Sequence, residues 1–289
     1  MSIDTSLFEQ TLMGNLPVLS VENSHAKAVI SLYGGQVLSF KPHGEEQVLW
    51  LSPDAVFQEG KAIRGGIPLC WPWFGKRQEG GPNHGYARIA TWELVEAKQL
   101  ENGETQIVLS LDASAAATRP GFVDGNPVIT IVVGRALAVT LDTVNSGDQP
   151  FGLSQALHSY FAVSDVEKIR IKGLQGTTYL DSTNNQQVCT QSGEVTIKGE
   201  VDRIYLNTDS TCIIDDPGLK RSIVVEKAGS NSTVVWNPGS VLAEAMTDIP
   251  SRDYASMVCV ETATAPSLAK KLVPGEKHQI TTRVFVRGC

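Results

Sequence analysis

The sequence predicts an all-β protein, either a sandwich or a barrel, in one domain that spans residues 1–289. Most segments alternate apolar and polar residues with the two-residue period of a half-buried strand. Turn-forming Gly, Asn, Asp and Pro separate these segments, and long helical periodicity is scarce. No linker, repeat or low-complexity tract divides the 289 residues, and all-β domains can reach this length as one unit.

The clearest strands follow one another along the chain. The alternation is found in AKAVISLYGG, TQIVLSLDAS, VITIVVGRALAVTLDTVNS, RSIVVEKAGSNSTVVWNPG and, after the turn VPGEK, HQITTRVFV. A short helical turn is expected over Ser267–Leu272, where a serine in the N-cap position precedes LAKKL. Helices are therefore expected only as short connections.

The composition is that of a soluble globular protein and argues against several classes of partner. The hydrophobic share is 42%, and 31 acidic against 24 basic residues give a formal net charge of -7, with no basic run. This balance favours neither nucleic acid nor an anionic membrane as a partner. No apolar run approaches the roughly 20 residues that span a bilayer. The N-terminal MSIDTSLFEQ also lacks the basic and apolar regions of a signal peptide.

The cysteines indicate a reducing compartment. Cys70, Cys189, Cys212, Cys259 and Cys289 are odd in number, far apart and never in a CxxC spacing. Neither a disulfide framework nor a zinc site is suggested by that pattern. We therefore expect a cytoplasmic protein.

The segment from Ile63 to Leu94 is rich in residues that could carry chemistry. Its glycines and prolines make it a poor regular strand, so we expect a structured loop between strands. The residues of interest in it are Arg64, Trp71, Trp73, Phe74, Asn83, His84 and Arg88. On one interpretation, WPWF is a hydrophobic plug and the arginines are solvated. On the other, flat rings cover the apolar face of a pyranose and guanidinium groups bind phosphate oxygens in pairs.

A histidine interrupts the segment LHSYFAV, residues 157 to 163, which otherwise has the pattern of a buried strand. Steps of two put Ser154, Ala156, His158, Tyr160 and Ala162 on one face. The opposite face, with Leu157, Phe161 and Val163, is typical of packing. The histidine face is either a modest core face, with the imidazole satisfied by a backbone group, or the floor of a pocket.

Two acidic residues stand in further strand-like segments. In MVCVETA, alternation places Glu261 on one face with Cys259 and Ala263, where it is either a solvent-facing glutamate or a functional carboxylate. In EVDRIYLN, Asp202 and Arg203 precede an apolar alternation, and an exposed ion pair is the structural interpretation of the two.

Six blocks of residues, taken together, resemble a known family. They are RGGIPLCWPWFG (64–75), HGYAR (84–88) followed by TWEL, LHSYF (157–161), DRIYLN (202–207), VVWNPG (234–239) and CVETA (259–263). In this order they resemble the hexose-6-phosphate mutarotases, also called glucose-6-phosphate 1-epimerases, within the aldose 1-epimerase group. The resemblance implies a large antiparallel β-sandwich, a galactose-mutarotase-like supersandwich with a few short helices. We also expect a monomer.

The resemblance implies roles for individual positions. It matches His158 to the family's catalytic histidine and Glu261 to its catalytic glutamate. Arg64 matches a substrate-binding arginine, and Arg88 a second arginine that faces the phosphate. Asp202 matches an aspartate that binds sugar hydroxyls.

Two neighbouring residues complete the binding positions that the resemblance implies. His84 stands where galactose-specific relatives have a substrate-contacting histidine, which implies binding rather than catalysis. Asn83 stands where some relatives have the longer glutamine. The loss of one methylene can turn a direct hydrogen bond into a water-mediated one.

The implied reaction interconverts the α and β anomers of aldohexose 6-phosphates such as glucose 6-phosphate. A base takes the proton of the C1 hydroxyl while an acid protonates the ring oxygen, and the roles reverse after rotation about C1–C2. A glutamate with an ordinary pKa near ~4.3 is ionised at neutral pH, and a histidine near ~6.5 can hold or release a proton. Glu261 is therefore expected to be the base and His158 the acid, with no metal, nucleotide or redox cofactor.

Three other functions stay open on the sequence. An aldose 1-epimerase for unphosphorylated sugars would use the same pair of residues. A glycoside hydrolase would need two carboxylates, such as Asp202 and Glu261. A non-catalytic sugar-binding protein could also be built on a β-sandwich, because a fold alone does not give activity.

Overall fold

The computed structural model describes residues 2–112 and 120–288. The strands of the first half are β1 (Phe8–Met13), β2 (Leu16–Glu22), β3 (Ala26–Ser31), β4 (Gln36–Pro42), β5 (Leu69–Cys70), β6 (Glu93–Gln99), β7 (Thr105–Ser110), β8 (Gly125–Val133), β9 (Leu137–Asn145), β10 (Phe151–Leu153) and β11 (Gln155–Leu157). Those of the second half are β12 (Tyr160–Ala162), β13 (Arg170–Lys172), β14 (Thr178–Asp181), β15 (Gln187–Thr190), β16 (Val201–Leu206), β17 (Cys212–Asp216), β18 (Arg221–Ala228), β19 (Ser232–Asn237), β20 (Met257–Thr264), β21 (Lys270–Leu272) and β22 (Lys277–Gly288).

Helices are short within the described residues. The α-helix α1 spans Gly239–Ala245, and single 3₁₀ turns lie at Thr5–Leu7, Ala87–Ile89, Ser182–Asn184, Asp253–Ser256 and Pro266–Leu268. None of the helices in the described ranges has the length and apolar character that crossing a bilayer requires.

The strands form antiparallel sheets, so the all-β sandwich prediction is confirmed. One sheet holds β1 to β4 in chain order. An eight-stranded sheet, here called the site sheet, has the order β15-β14-β16-β19-β20-β11-β5, with β12 also paired to β20. A second eight-stranded sheet, the partner sheet, has the order β13-β17-β18-β22-β9-β8-β7-β6, and β10 pairs with β21 outside both. The site sheet is the one that carries the candidate functional residues.

The main hydrophobic core is built from both eight-stranded sheets and from the four-stranded sheet. Its members from the site sheet include Leu157, Phe161, Val235, Val258 and Val260, and those from the partner sheet include Ile129, Ile131, Val139, Ile223 and Ile280. The two-residue period places such side chains on one face of each strand, and each one buried contributes about 1.5–3 kcal/mol. The opposite face of the site sheet is thereby free to carry polar groups.

The strands predicted from alternation are confirmed, with one partial error. AKAVIS, VITIVV, LAVTLDTVN and the closing HQITTRVFV all lie in strands, while the end of TQIVLSLDAS lies outside the described residues. The helical turn expected over Ser267–Leu272 is only partly correct. A 3₁₀ turn covers Pro266–Leu268, but Lys270–Leu272 is β21, because pairing with β10 overrides the local propensity for helix.

The segment from Ile63 to Leu94 is largely irregular, as predicted, and the aromatic residues of WPWF are buried. Trp71 and Trp73 belong to the main core, so they form the plug and do not face a sugar. The indole of Trp71 donates a hydrogen bond to Thr143 Oγ1 over 3.0 Å. Phe74 instead packs on the other face of the site sheet, beside Cys70.

Candidate active site

One row of residues across the site sheet begins at the predicted sugar-binding aspartate. Asp202 pairs with Trp236, Trp236 with Cys259, and Cys259 with Tyr160. Because paired residues of an antiparallel sheet point to the same face, these four side chains lie side by side. Trp236 was not predicted as a site residue, although alternation in VVWNPG puts it two positions from Val234 on the same face.

The next row brings the two predicted catalytic residues together. Ile204 pairs with Val234, and Val234 with Glu261. The registers of β11 and β12 on β20 agree across the short gap between these strands, and they place His158 opposite Glu261. The predicted face assignments of His158 and Glu261 therefore agree with the sheet register.

The backbone at His158 is a tight turn rather than continuous strand. The N–H of Ser159 donates to the carbonyl of Leu157 over 2.9 Å, and the N–H of His158 donates to the carbonyl of Pro68 over 3.0 Å. These two hydrogen bonds hold the backbone of His158 between β11 and β12, where it takes no part in the regular pairing of strands. This is where the prediction of an unbroken strand is wrong, because a local turn replaces the ladder bonds.

The imidazole and the carboxyl are in direct contact. His158 Nε2 lies 3.4 Å from Glu261 Oε1. His158 is 7% exposed and Glu261 2%. Among the described residues, neither His158 Nδ1 nor Glu261 Oε2 has a hydrogen-bond partner. Buried polar atoms normally have partners, so these two atoms are the natural contacts for a ligand.

Burial shifts the pKa values of both groups away from their ordinary values. It raises the pKa of Glu261 well above its usual range, and Asp202 raises it further. Burial also lowers the pKa of His158, with His84, Arg88 and Arg64 acting in the same direction. The ordinary pKa values used for the sequence therefore do not describe this pair, because burial penalises the charged form of each group. Both shifts favour the neutral forms.

Tyr160 connects His158 to a predicted substrate-binding arginine. Its ring stacks on the imidazole, with centroids 4.8 Å apart and planes 8° apart. Its hydroxyl accepts a hydrogen bond from a terminal nitrogen of Arg64 over 2.9 Å. Arg64 Nε donates in turn to Asp248 Oδ2 over 3.0 Å. Arg64 is thus held in place by two partners.

His84 lies next to the pair in a single tautomer. Its Nδ1 accepts a hydrogen bond from the N–H of Gly75 over 3.3 Å and lies 3.3 Å from Cys70 Sγ. Burial lowers the pKa of His84 to about 3, and Arg88 and Arg64 act in the same direction. The neutral ring therefore carries its proton on Nε2, which makes it a hydrogen-bond donor. Its centroid lies 5.7 Å from that of His158.

Two cavities adjoin this face of the sheet, and their linings differ in charge. The first, called the basic cavity, has a volume of about 280 Å³ and is lined by residues that include Lys61, Arg64, Arg88, Tyr160 and Asp248. The second, called the polar cavity, has a volume of about 440 Å³ and is lined by residues that include Phe74, His84, Ser182, Gln186 and Asp202. Three cations against one carboxylate in the basic cavity suit an anionic group. In the polar cavity a single lysine, Lys76, is balanced by Asp202, and its hydroxyl, amide and carboxylate groups suit sugar hydroxyls.

A larger cavity of about 490 Å³ lies elsewhere, but its chemistry is different. Its lining includes Glu59, Glu93 and Asp112, and none of the described residues that line it is lysine or arginine. An excess of acidic groups would repel a phosphorylated ligand. Volume alone therefore does not identify the functional site.

The remaining predicted residues are close to the cavities. Arg88 lines the basic cavity, and one of its terminal nitrogens donates to the backbone carbonyl of Asn83 over 2.8 Å. Asn83 itself is exposed and is not among the described residues that line either cavity. A contact from its side chain to substrate stays a prediction. Asp202 is half-buried, and burial raises its pKa.

The chain resembles known proteins over most of its length. The family model described as aldose 1-epimerase matches residues 17–284. A protein of Salmonella typhimurium, provisionally named glucose-6-phosphate 1-epimerase, is 36% identical over 279 residues, covering 95% of this chain and 93% of its own. One from Escherichia coli K12 with the same provisional name is 36% identical over 261 residues, covering 89% and 86%. The crystal structure of YeaD from Salmonella typhimurium, provisionally described as a mutarotase, has a TM-score of 0.91 at 31% identity, covering 100% of this chain and 96% of that one.

Proposed function

This chain belongs to the aldose 1-epimerase family, and on that premise we propose that it interconverts the α and β anomers of aldohexose 6-phosphates such as glucose 6-phosphate. The proposal makes it an isomerase that needs no metal, nucleotide or redox cofactor. The names of its relatives support the substrate class. The observation that carries the proposal is the 3.4 Å contact between His158 Nε2 and Glu261 Oε1 beside two cavities of different polarity.

The proposed chemistry uses the single proton that His158 and Glu261 share. In the free site, burial favours the neutral forms of both groups. A sugar hydroxyl that donates to Glu261 and a ring oxygen that accepts from His158 would stabilise the ion pair instead, because hydrogen bonds to the charged form favour that form. Glu261 then takes the proton from the C1 hydroxyl as His158 protonates the ring oxygen. Positioned proton transfer of this kind contributes typically about 10²- to 10⁴-fold.

We assign the 6-phosphate to the basic cavity. Lys61, Arg64 and Arg88 line it, with Asp248 as the acidic member. Arg88 donates one bond to Asn83, which leaves most of its guanidinium donors for phosphate oxygens. The overall charge of -7 does not attract a phosphate ester, so binding would depend on this local group of cations.

We assign the sugar hydroxyls to the polar cavity. Asp202 would accept hydrogen bonds there, and His84 would donate one from Nε2. Both residues line that cavity, and the tautomer of His84 follows from its contact with Gly75. The ring of Trp236, 6.2 Å from that of His158, offers an apolar face for the C–H groups of a pyranose.

The cellular and molecular setting belongs to the same proposal. We propose a cytoplasmic protein, and the free thiols Cys70, Cys189, Cys212 and Cys259 support a reducing compartment. Cys289 lies outside the described residues. We also propose that residues 1–289 act as one domain and as a monomer, without nucleic-acid or membrane partners.

The experiment that tests the function is exchange NMR of the anomeric protons of glucose 6-phosphate, with and without the protein, repeated on glucose and galactose. Spontaneous mutarotation provides the baseline in each case. We expect clear acceleration for glucose 6-phosphate and less for glucose. No acceleration of any sugar phosphate would refute the function, and equal acceleration of glucose would point to an aldose 1-epimerase for unphosphorylated sugars.

A further inference from the structure

Three potential metal ligands meet at the proposed acid/base pair. His158, Cys259 and Glu261 each offer one nitrogen, sulfur or oxygen atom, and these atoms lie within 4.8 Å of one another. The three residues are 7%, 0% and 2% exposed. Cys259 lies two residues from Glu261 on β20 and points to the same face, while His158 faces Glu261 from the neighbouring segment. No function described so far uses Cys259.

The spacing of these atoms fits a tetrahedral ion. Zinc holds sulfur at about 2.3 Å and nitrogen or oxygen at about 2.0–2.2 Å, which separates neighbouring ligand atoms by roughly 3.3–3.6 Å. The distance of 3.4 Å between His158 Nε2 and Glu261 Oε1 already lies in that range. The thiol of Cys259 would need to approach by roughly 1 Å, which a change of side-chain rotamer can supply.

A second observation points to a ligand at the same place. Glu261 Oε2 is buried and has no hydrogen-bond partner among the described residues, so the carboxyl of the cluster has an unsatisfied oxygen atom. Buried polar atoms of this kind are costly unless something binds them. Nitrogen, thiolate and carboxylate ligands together are the donor set that zinc prefers, and they suit magnesium or calcium poorly.

We propose that Zn²⁺ binds to His158, Cys259 and Glu261 and inhibits the protein. The ion would occupy the lone pairs that proton transfer requires, so it would compete with substrate rather than assist it. Its fourth position would be filled by water. The inference goes beyond the proposed function, because binding of the ion requires no sugar, and it leaves catalysis itself free of metal.

The charges of the proposed ligands balance that of the ion. Zinc binds a thiolate and a carboxylate in their deprotonated forms, so their protons leave as Zn²⁺ enters. With a neutral imidazole as the third ligand, the resulting complex has no net charge, which suits a buried site.

Other titratable and charged groups surround the cluster. They are Cys70, His84, Tyr160, Asp202, Arg64 and Arg88. Arg64 is neutralised by Asp248 at 3.0 Å. The positive charge of Arg88 opposes a second cation, and Asp202 offsets it. These groups tune the affinity of the site for a cation.

Titration of the 289-residue protein with Co²⁺ tests the inference without reference to activity. Co²⁺ takes the place of Zn²⁺, and a cobalt–thiolate bond gives a charge-transfer absorption. We expect this absorption with one ion per chain, and its loss in Cys259→Ser. Affinity should fall at least about 100-fold in that variant, since the loss of an outer partner alone costs about 10- to 100-fold. Cys212→Ser is the matched control, because Cys212 is also a buried free thiol but lies on β17 of the partner sheet.

Competition connects the site to the reaction. Zn²⁺ should displace Co²⁺, and glucose 6-phosphate should weaken the binding of either ion. Should Cys259→Ser fail to fold by circular dichroism, Glu261→Gln serves as a second variant and should weaken Co²⁺ binding as well. Absence of the charge-transfer absorption in the wild type, or its loss in Cys212→Ser instead of Cys259→Ser, would overturn the inference. Neither result would bear on anomer exchange, which is measured without added metal.

Discussion

The imidazole of His158 lies parallel to the phenol ring of Tyr160, with their centroids 4.8 Å apart. The same phenol accepts a hydrogen bond from Arg64, which is held by Asp248. A charged guanidinium and a proposed acid are therefore connected through one ring. We propose that Tyr160 acts on the reaction by holding His158, which makes it a positioning residue.

Two substitutions of Tyr160 should distinguish the effect of its stack on His158 from the effect of its hydrogen bond with Arg64. Tyr160→Phe keeps the stack on His158 and loses the bond to Arg64, so kcat should stay within about 3-fold while KM for glucose 6-phosphate rises. Tyr160→Leu removes the stack as well, and kcat should fall by about 10- to 100-fold, because a small misplacement of a catalytic group has a cost of that order. Steady-state kinetics of both variants over a range of glucose 6-phosphate concentrations give the kcat and KM values to compare. Equal kcat values in Tyr160→Phe and Tyr160→Leu would contradict the positioning role.

Arg88→Ala tests the assignment of the phosphate to the basic cavity. Loss of a charge-assisted contact costs about 1.5–3 kcal/mol, so KM for glucose 6-phosphate should rise by about 10- to 100-fold. The rate with glucose should hardly change, because glucose has no phosphate. Arg77→Ala is the control, because Arg77 is not among the described residues that line the basic cavity. It pairs with Glu79 instead and lies over the ring of Trp73. A similar loss with both sugars would reject the phosphate assignment.

The two carboxylates of the site allow a test against glycoside hydrolysis. Asp202 lines the polar cavity and Glu261 contacts His158, and a hydrolase would use two such groups on either side of a glycosidic bond. We expect the wild-type protein to release no aryl alcohol from aryl glucosides or their 6-phosphates. Release that disappears in Glu261→Gln would establish the rival function instead.

Glu261→Gln should stabilise the protein, and more so at neutral than at acidic pH. Burial raises the folded-state pKa of Glu261 above its unfolded value. The protonated carboxyl therefore favours folding below about pH 4.3, and this contribution is lost as pH rises toward the folded pKa. Glutamine does not titrate. The gain in the free energy of unfolding that the substitution brings should grow as the pH rises from 4.5 to 7.5, because only the glutamate titrates. Urea unfolding of both proteins at the two pH values measures it, and a gain that shrinks with pH would be inconsistent with a raised pKa.

Much of the site follows from alternation within single strands. The period of two places Cys259, Glu261 and Ala263 on one face, and the structure agrees. The same period places the side chains of His158 and Tyr160 on one face of their segment. The matching of six sequence blocks adds the roles, which no periodicity supplies.

The rest depends on contacts between distant parts of the chain. Arg64 and Asp248 are separated by 184 positions, and nothing in the sequence around Asp248 marks it as a partner. The raised pKa of Glu261 could not be predicted from the sequence either, because it follows from burial. Cys259 has no CxxC neighbour, yet the sheet brings it within 4.8 Å of a histidine nitrogen and a carboxylate oxygen. Cysteine spacing detects local motifs and does not detect clusters that form between distant strands.

The central claim is that His158 and Glu261 act as one acid/base unit on one anomeric carbon. It is tested most directly by exchange NMR on glucose 6-phosphate with His158→Asn, Glu261→Gln and the double variant, compared with the wild type. Residues that act as a unit are not additive, so the double variant should be no slower than either single variant, with each single loss on the order of 10²- to 10⁴-fold. Single losses that multiply in the double variant, or a His158→Asn variant as fast as the wild type, would contradict it.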